Sequence, residues 1–476
     1  MLLIALGRVA QFILVFATIK ISTTLLPPEE MAKVFMVASL VAFFALVFLN
    51  PVGMFMNRRL HAWNAAGKVR HYYNYFWLYL IAICGIAVAS LILFIGVGWI
   101  DIHTSTNLVL MLVGSSLLFA TVNQVVIPAL NLLGYRGWFV ALTLATAVMS
   151  LMTATIFVVE LAPKAEFWIF GLLVGQFIFS LIGGKIFFGK VNAPDYSHKP
   201  TRHHFDKLIG FAWPISIAVG LGWVQTQSYR FMMESGLGLH ALGLFAAGYG
   251  ISAGVISAFE SVFTTYLQPN FYKHISNENL LEQSKAWEEY AGTIFPSLTL
   301  VGFVILATAP ELTRVILGPE YWSSFQFIGW GVAAELSRVA SGAYGMIAHA
   351  RMKTRLLIAP SLVGATSSII LIWWLMPIFG SNGVGAALMI SSVAAFILTY
   401  AFTRDELTAN LPRRTLITSM LMGVALIILA EVFRWAVGEN KNLIVSVATL
   451  GTVGVAFLFF QFTLLRPLLR GGMSFK

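Results

Sequence analysis

Charge is what this sequence has least of. Asp, Glu, Lys and Arg make up 11% of its 476 residues, and 58% are hydrophobic, with a mean hydropathy of +0.83. Soluble globular chains carry roughly 25% charge, so a large soluble core is excluded. Cysteine is nearly absent: Cys84 is alone, which rules out a disulfide framework and a cysteine metal cluster. No Walker motif, no His-x-x-x-His pair within a helix, no nucleophile elbow and no metal-ligand cluster is present, so no cofactor is expected. His349 falls at the inner end of an apolar run and reads as a loop residue, not a catalytic base. Acids are fewer than bases, 20 against 30, giving a net charge of +10. The bases sit in short loops, so the excess reports membrane orientation and not nucleic-acid binding. The N-terminus lacks the basic flank and small-residue cleavage site of a removable signal, so the first span is expected to stay.

Long apolar runs are what is there. They are continuous, not alternating, which marks helices and excludes barrel strands. The fold class expected is an all-α polytopic membrane protein. Its fourteen candidate spans cover roughly 2–26, 32–56, 75–99, 107–132, 138–161, 166–189, 208–234, 241–268, 290–317, 325–350, 355–379, 383–403, 415–437 and 443–465. With both termini placed in the cytoplasm, the inner loops collect 21 Lys and Arg residues; the outer loops hold Lys33, Lys164 and Lys441. That asymmetry fixes the expected orientation. No outer loop exceeds about ten residues, so no external domain is available for chemistry.

The chain also resembles itself. "IKISTTLLPPEEMAKVFMVASL" (19–40) lies over "YRFMMESGLGLHALGLFAAGYG" (229–250) without gaps, with Lys20 on Arg230 and Phe35 on Phe245, an offset of 210. "ALNLLGYRG" (129–137) falls on "IAHARMKTR" (347–355), and "FGLLVGQ" (170–176) on "VGAALMI" (384–390), at offsets of 218 and 214. Three matches in one order at nearly one offset imply two six-helix lobes related by a pseudo-two-fold axis along the membrane normal. The expected organisation is an N-terminal lobe (1–189), a basic cytoplasmic linker (190–207), a C-terminal lobe (208–403), and helices 13 and 14 with a tail (404–476).

Ionisable residues inside spans are the candidate functional groups. Lys20 and Arg230 fall at corresponding depth in the two lobes and suit an anionic group held between them, Arg as a planar fork and Lys as a point charge. The competing readings are that Lys20, about 9 Å of helix from Leu26, snorkels to the surface, and that Arg230 pairs with Glu234 one turn on. Three Glu-x-x-Arg pairs recur: Glu311/Arg314, Glu335/Arg338 and Glu431/Arg434. The first and third lie near outer helix ends. Glu335/Arg338 sits mid-span in "GWGVAAELSRVASGAYGMIAHA", among small residues, as candidate cavity lining or structural glue. Glu260 has no cation three or four residues away and is a candidate for ion coupling, with Glu335 and Glu234. Arg8 and Arg58, near the cytoplasmic ends of the first two spans, are candidates to meet an anionic headgroup. Pro51, Pro214, Pro269, Pro296 and Pro360 mark kinks or ends, and residues 270–289 read as an amphipathic connector on the inner surface.

Several motifs carry a family likeness. "LGLFAAGYGISAG", "LTRVILGPEYWSSF" and "MPIFGSNGVGAALMISS", together with two six-helix lobes, resemble the Wzx-type polysaccharide transporters of the multidrug/oligosaccharidyl-lipid/polysaccharide flippase superfamily. The resemblance implies a bacterial inner-membrane flippase that moves undecaprenyl-pyrophosphate-linked oligosaccharide (an O-antigen, capsule or exopolysaccharide repeat unit) to the outer leaflet by alternating access. Its partners would be membrane lipids and the polysaccharide polymerase and export machinery. Family cavities are cationic, which Lys20, Arg230 and Arg338 would match. One departure is "TQSYRF": Tyr229 stands where the family often has an acid, which removes an acid-based ion site from that position. No ATP site is present, so a proton or sodium gradient, or consumption of the product outside, is the expected drive. A multidrug exporter of the same superfamily is the nearest alternative, disfavoured by the cationic bias. A glycosyltransferase, polymerase or ligase acting on lipid-linked sugars would require a long outer loop, and a structural scaffold would not explain charges deep in a helix.

Overall fold

The computed structural model describes residues 2–98, 103–192, 202–275, 280–351, 353–407, 413–437 and 442–470. Among these the regular structure is entirely helical. Contacts divide the chain into two units, residues 1–223 and 224–476. The first contains α1 (Leu2–Leu25), α2 (Pro28–Phe44), α3 (Asn50–Ala65), α4 (Val69–Gly96), α5 (Thr106–Leu132), α6 (Arg136–Glu160), α7 (Ala165–Lys190) and most of α8 (Arg202–Gln227). The second contains α9 (Tyr229–Ile275), α10 (Leu280–Ala307), α11 (Ala309–Ile316), α12 (Ile328–Ala350), α13 (Ile358–Thr403), α14 (Arg413–Val437) and α15 (Leu443–Arg470). Half of the basic linker expected at 190–207, residues 193–201, lies outside the described residues; Lys190 ends α7, and 202–207 already belong to α8.

Among the described residues, eleven helical stretches are long and apolar enough to cross a membrane, which makes this a multi-pass membrane protein. That count does not reach fourteen. The stretch holding α12, with its Glu and Arg, is not among the eleven, and some of the eleven exceed one crossing. α9 has 47 residues and α13 has 46. Straight, each would run about 70 Å at 1.5 Å per residue, more than twice a hydrocarbon core. Each is broken at a glycine in the left-handed region, Gly238 (φ 82°) and Gly380 (φ 56°), a conformation that side chains with a Cβ resist. These breaks fall where the sequence pattern separates its seventh span from its eighth and its eleventh from its twelfth.

α2 and α3 form one rod through a π-helical turn at Ala45–Leu49. Pro51 explains it: a proline inside a helix lacks an N–H and its ring crowds the carbonyl one turn earlier, and a widened turn just before it relieves both. Of the connector expected at 270–289, residues 276–279 lie outside the described residues, and the rest belongs to the flanking helices. α9 runs through Pro269 to Ile275, and Leu280 already opens α10, where Trp287 is buried and its Nε1 donates to the Ala343 carbonyl at 2.9 Å. Aromatic side chains that reach a partner in the interior pull this stretch into the bundle.

Close helix packing rests on small residues, as expected where lipid supplies no hydrophobic drive between helices. In the first unit a Cβ on Gly171 would collide with the backbone of Ala154, and one on Gly175 with that of Ser150. The same seam is hydrogen-bonded: Thr153 Oγ1 donates to the Gly171 carbonyl at 2.6 Å, and Ser150 Oγ to that of Leu172 at 3.0 Å. α6 and α7 are thereby locked together.

Candidate functional site

In the second unit, α9 and α12 approach each other at Ser252, whose Oγ donates to the Ile328 carbonyl at 2.8 Å and which leaves no room for a Cβ on Gly331. Just along α12 from this contact, Glu335 and Arg338 share a face through their i,i+3 spacing. Arg338 Nε donates to Glu335 Oε2 at 2.7 Å, and its Nη2 reaches across to Glu260 Oε2 on α9 at 2.5 Å. The Glu335 side chain is 9% exposed, Glu260 23% and Arg338 40%. One guanidinium fork thus serves two carboxylates from two helices, a geometry an ammonium cannot reproduce. The acid that has no cation three or four residues away on its own helix is paired from another one.

Aromatic rings extend this cluster. Tyr249 is buried within electrostatic range of Glu335, Arg338, Tyr229 and Arg230. Tyr229 is buried too, its ring 6.0 Å from that of Tyr249 and 5.4 Å from that of Phe245. Arg230 Nε donates to Tyr229 Oη at 3.4 Å, with the guanidinium 5.7 Å from that ring's centre. The structure therefore groups Arg230, Glu335, Arg338 and Glu260 around two tyrosines, one of them the Tyr229 that departs from the family pattern. Glu234 lies half-buried one turn beyond Arg230.

The remaining candidates are in the first unit. Lys20 is half-buried in the last part of α1, eight residues before α2 opens at Pro28; Arg230 stands eight residues before the break at Gly238. The turn that follows each cation thus recurs at the 210-residue offset. Arg58 is exposed on α3. Arg8 is exposed on α1, with Nη1 3.3 Å from Gln11 Oε1, and it lines a cavity of about 590 Å³ bounded by α1, α5, α6 and α7. Lys20 does not line this cavity, although its neighbours Thr18 and Ile19 do.

Two features were not anticipated from the sequence. Arg434 pairs with Glu431 on its own helix but also grips Glu311 on α11 with two bonds, Nε to Oε1 at 2.9 Å and Nη2 to Oε2 at 2.7 Å. Partner choice across 123 positions leaves no local trace. The cavity does leave one: Thr143, Thr146 and Ser150 on α6, and Asn123, Ile127 and Asn131 on α5, are spaced three or four apart, a mostly polar stripe on otherwise apolar helices.

The architecture recurs among solved structures. The chain is similar to the lipid II flippase MurJ in an inward closed conformation, with a TM-score of 0.67 and 14% identity over 98% of this chain and 100% of that one. It is similar to an inward-facing multidrug resistance MATE family transporter of the MOP superfamily, with a TM-score of 0.64 and 15% identity over 85% and 98%. A MOP superfamily transporter from Pyrococcus furiosus, described by a binding pocket of reverse polarity, matches with a TM-score of 0.51 and 14% identity over 84% and 93%. No family model and no curated protein sequence matches the chain. What these structures share with it is the fold.

Proposed function

We propose that this chain is a flippase of the bacterial inner membrane that carries a polyprenyl-pyrophosphate-linked oligosaccharide from the inner to the outer leaflet by alternating access, with both termini cytoplasmic. The observation that carries the reading is one half-buried cation in each unit, Lys20 eight residues before α2 opens at Pro28 and Arg230 eight residues before the break at Gly238. A pyrophosphate cannot cross hydrocarbon unaided; a cation within a lobe replaces part of its hydration, while the polyprenyl tail stays in lipid. The lipid II flippase, which matches this chain end to end, supports a lipid-linked substrate. The glycan would be an O-antigen, capsule or exopolysaccharide unit, handed on to a polymerase and export machinery.

The second unit supplies the coupling. Glu260 and Glu335 share the guanidinium of Arg338; this triad, counted without the nearby Arg230, carries one formal negative charge for a proton or sodium ion to neutralise. Binding and release of that ion would bias the conformational cycle, since an ion shifts an equilibrium only by its differential affinity for the two states. Glu234, beside Arg230, is the third acid in reach of this path.

The test is the Lys20→Ala, Arg230→Ala double variant in a strain lacking the native gene. Surface polysaccharide should be lost with the protein still present in the membrane, and retained assembly would overturn the assignment. The similar MATE fold makes a multidrug exporter the second reading. Drug sensitivity in the deletion strain with normal surface glycan would favour it.

A further inference from the structure

The cavity of the first unit has a chemistry distinct from that of the charged residues above. Its volume, about 590 Å³, falls within the roughly 300–1,000 Å³ of small-molecule sites. It runs along α1 from Arg8 to Ile19, about 17 Å of helix. Arg8 and Asn131 mark the end where α1 begins and α5 finishes; Asn123, Ser150 and Gln176 line the deep part. The lining includes one cation and no acid.

The polar groups of the deep part mainly accept hydrogen bonds. Thr18, Thr143 and Thr146 each donate their hydroxyl to a carbonyl of their own helix, at 2.7 Å in every case, and Ser150 donates to Leu172. What these hydroxyls have left to offer is lone pairs. Asn123 Nδ2 donates to the carbonyls of Phe119 (3.1 Å) and Gln176 (2.8 Å), which fixes the amide so that its Oδ1 is the remaining acceptor. That Oδ1 and Gln176 Oε1 are buried in the wall with no partner, so the acceptors offered by the lining are chiefly the hydroxyl oxygens of Thr18, Thr143 and Thr146. Between these groups lie flat apolar surfaces from Leu14, Ile127 and Phe139.

Three ligand classes fit poorly. A metal or organic cation would meet no carboxylate and would share the space with Arg8. A pyrophosphate would find a single positive charge. A hydrophobic drug would strand the hydroxyls. A neutral ligand rich in hydroxyl donors, with C–H faces to lay on Leu14, Ile127 and Phe139, fits all of these surfaces. We propose that the first unit's own cavity is a carbohydrate site that takes a neutral glycosyl residue. The proposal rests on the flippase reading for the source of the sugar.

The test needs no transport. In a Cys84→Ser background, Ala147→Cys places a thiol in the cavity wall without removing a polar group. The purified full chain in nanodiscs is labelled with a methanethiosulfonate reagent in the presence of glucose, galactose, rhamnose or N-acetylglucosamine. At least one of these neutral sugars should slow labelling several-fold, while glucosamine, pyrophosphate and sodium do not. Adding Asn123→Leu, or the nearly isosteric Thr146→Val, should abolish the protection while the protein stays monodisperse. Protection by pyrophosphate or sodium instead, or by none of the neutral sugars, would overturn the proposal. Because labelling reports occupancy alone, sugar protection in a protein whose Lys20, Arg230 double variant still assembles glycan would separate this site from the flippase assignment.

Discussion

Arg338 on α12 is bonded to Glu260 on α9, 78 positions earlier, and Glu335 holds the other side of the same guanidinium. The pairing makes Arg338 a bridge between helices as well as a candidate cavity cation. Removing one partner of a buried ion pair costs about 3–5 kcal/mol because the other charge is left stranded. With Arg338 partly exposed, Arg338→Ala should fall toward the lower end of that range, read as a lowered Tm in detergent. Arg338→Lys should recover only part of it, since one ammonium cannot present two forked bonds to two helices. An unchanged Tm for Arg338→Ala would mean the bridge carries no stability.

The same triad makes a prediction about energy coupling. Glu335→Gln and Glu260→Gln keep the shape and one acceptor oxygen of each carboxyl but remove the charge. In proteoliposomes or in cells, transport by either variant should lose its dependence on a proton or sodium gradient, while downhill exchange persists. Gradient dependence equal to that of the parent in both variants would remove these acids from the coupling path.

How far the sequence could lead is clear from these residues. The spans were legible because a bilayer demands about 20 apolar residues in a row. The Glu335–Arg338 contact was legible because i,i+3 spacing puts two side chains on one face. Glu260–Arg338 and Glu311–Arg434 were not, because which helices lie side by side is decided by packing, and no local spacing encodes it. The break at Gly238 lay between two recognisable spans, whereas the continuation of α9 through Pro269 was hidden by the expectation that proline ends a helix. The cavity escaped because its chemistry is spread over Thr, Ser, Asn and Gln of four helices, residues that singly look like ordinary helix surface. No part of the sequence reading weighed uncharged groups as site residues.

The α6–α7 seam predicts a sharp contrast between two glycines of one helix. A side chain at Gly171 would drive into the backbone of Ala154, which cannot move aside as a flexible side chain would; at Gly184 a Cβ meets nothing. Gly171→Leu should therefore cost more than the about 1–3 kcal/mol of ordinary overpacking and remove most of the folded protein. Gly184→Leu should leave it nearly unchanged. Size-exclusion profiles of the two variants, expressed in parallel, decide the matter: equal monodisperse yields would contradict the close approach.

Arg434 and Glu311 offer a case in which removing two groups should do less harm than removing one. The bidentate pair joins α14 to α11, and Arg434 Nη2 also donates to the Ala307 carbonyl at 2.5 Å. Glu311 is 5% exposed in its side chain and Arg434 23%, whereas Glu431, at 65%, is open enough to contribute little. Arg434→Met leaves the Glu311 carboxylate buried without a cation, and the cost should approach the about 3 kcal/mol that separates a paired from a stranded buried charge. Adding Glu311→Gln removes that charge and should restore much of the loss. A thermal-denaturation double-mutant cycle measures the coupling directly. If the double variant is as destabilised as the two single effects summed, the pair is not energetically coupled. If it is more stable than Arg434→Met alone, the ion pair holds α14 against α11 through mutual neutralisation and not through the bulk of either side chain.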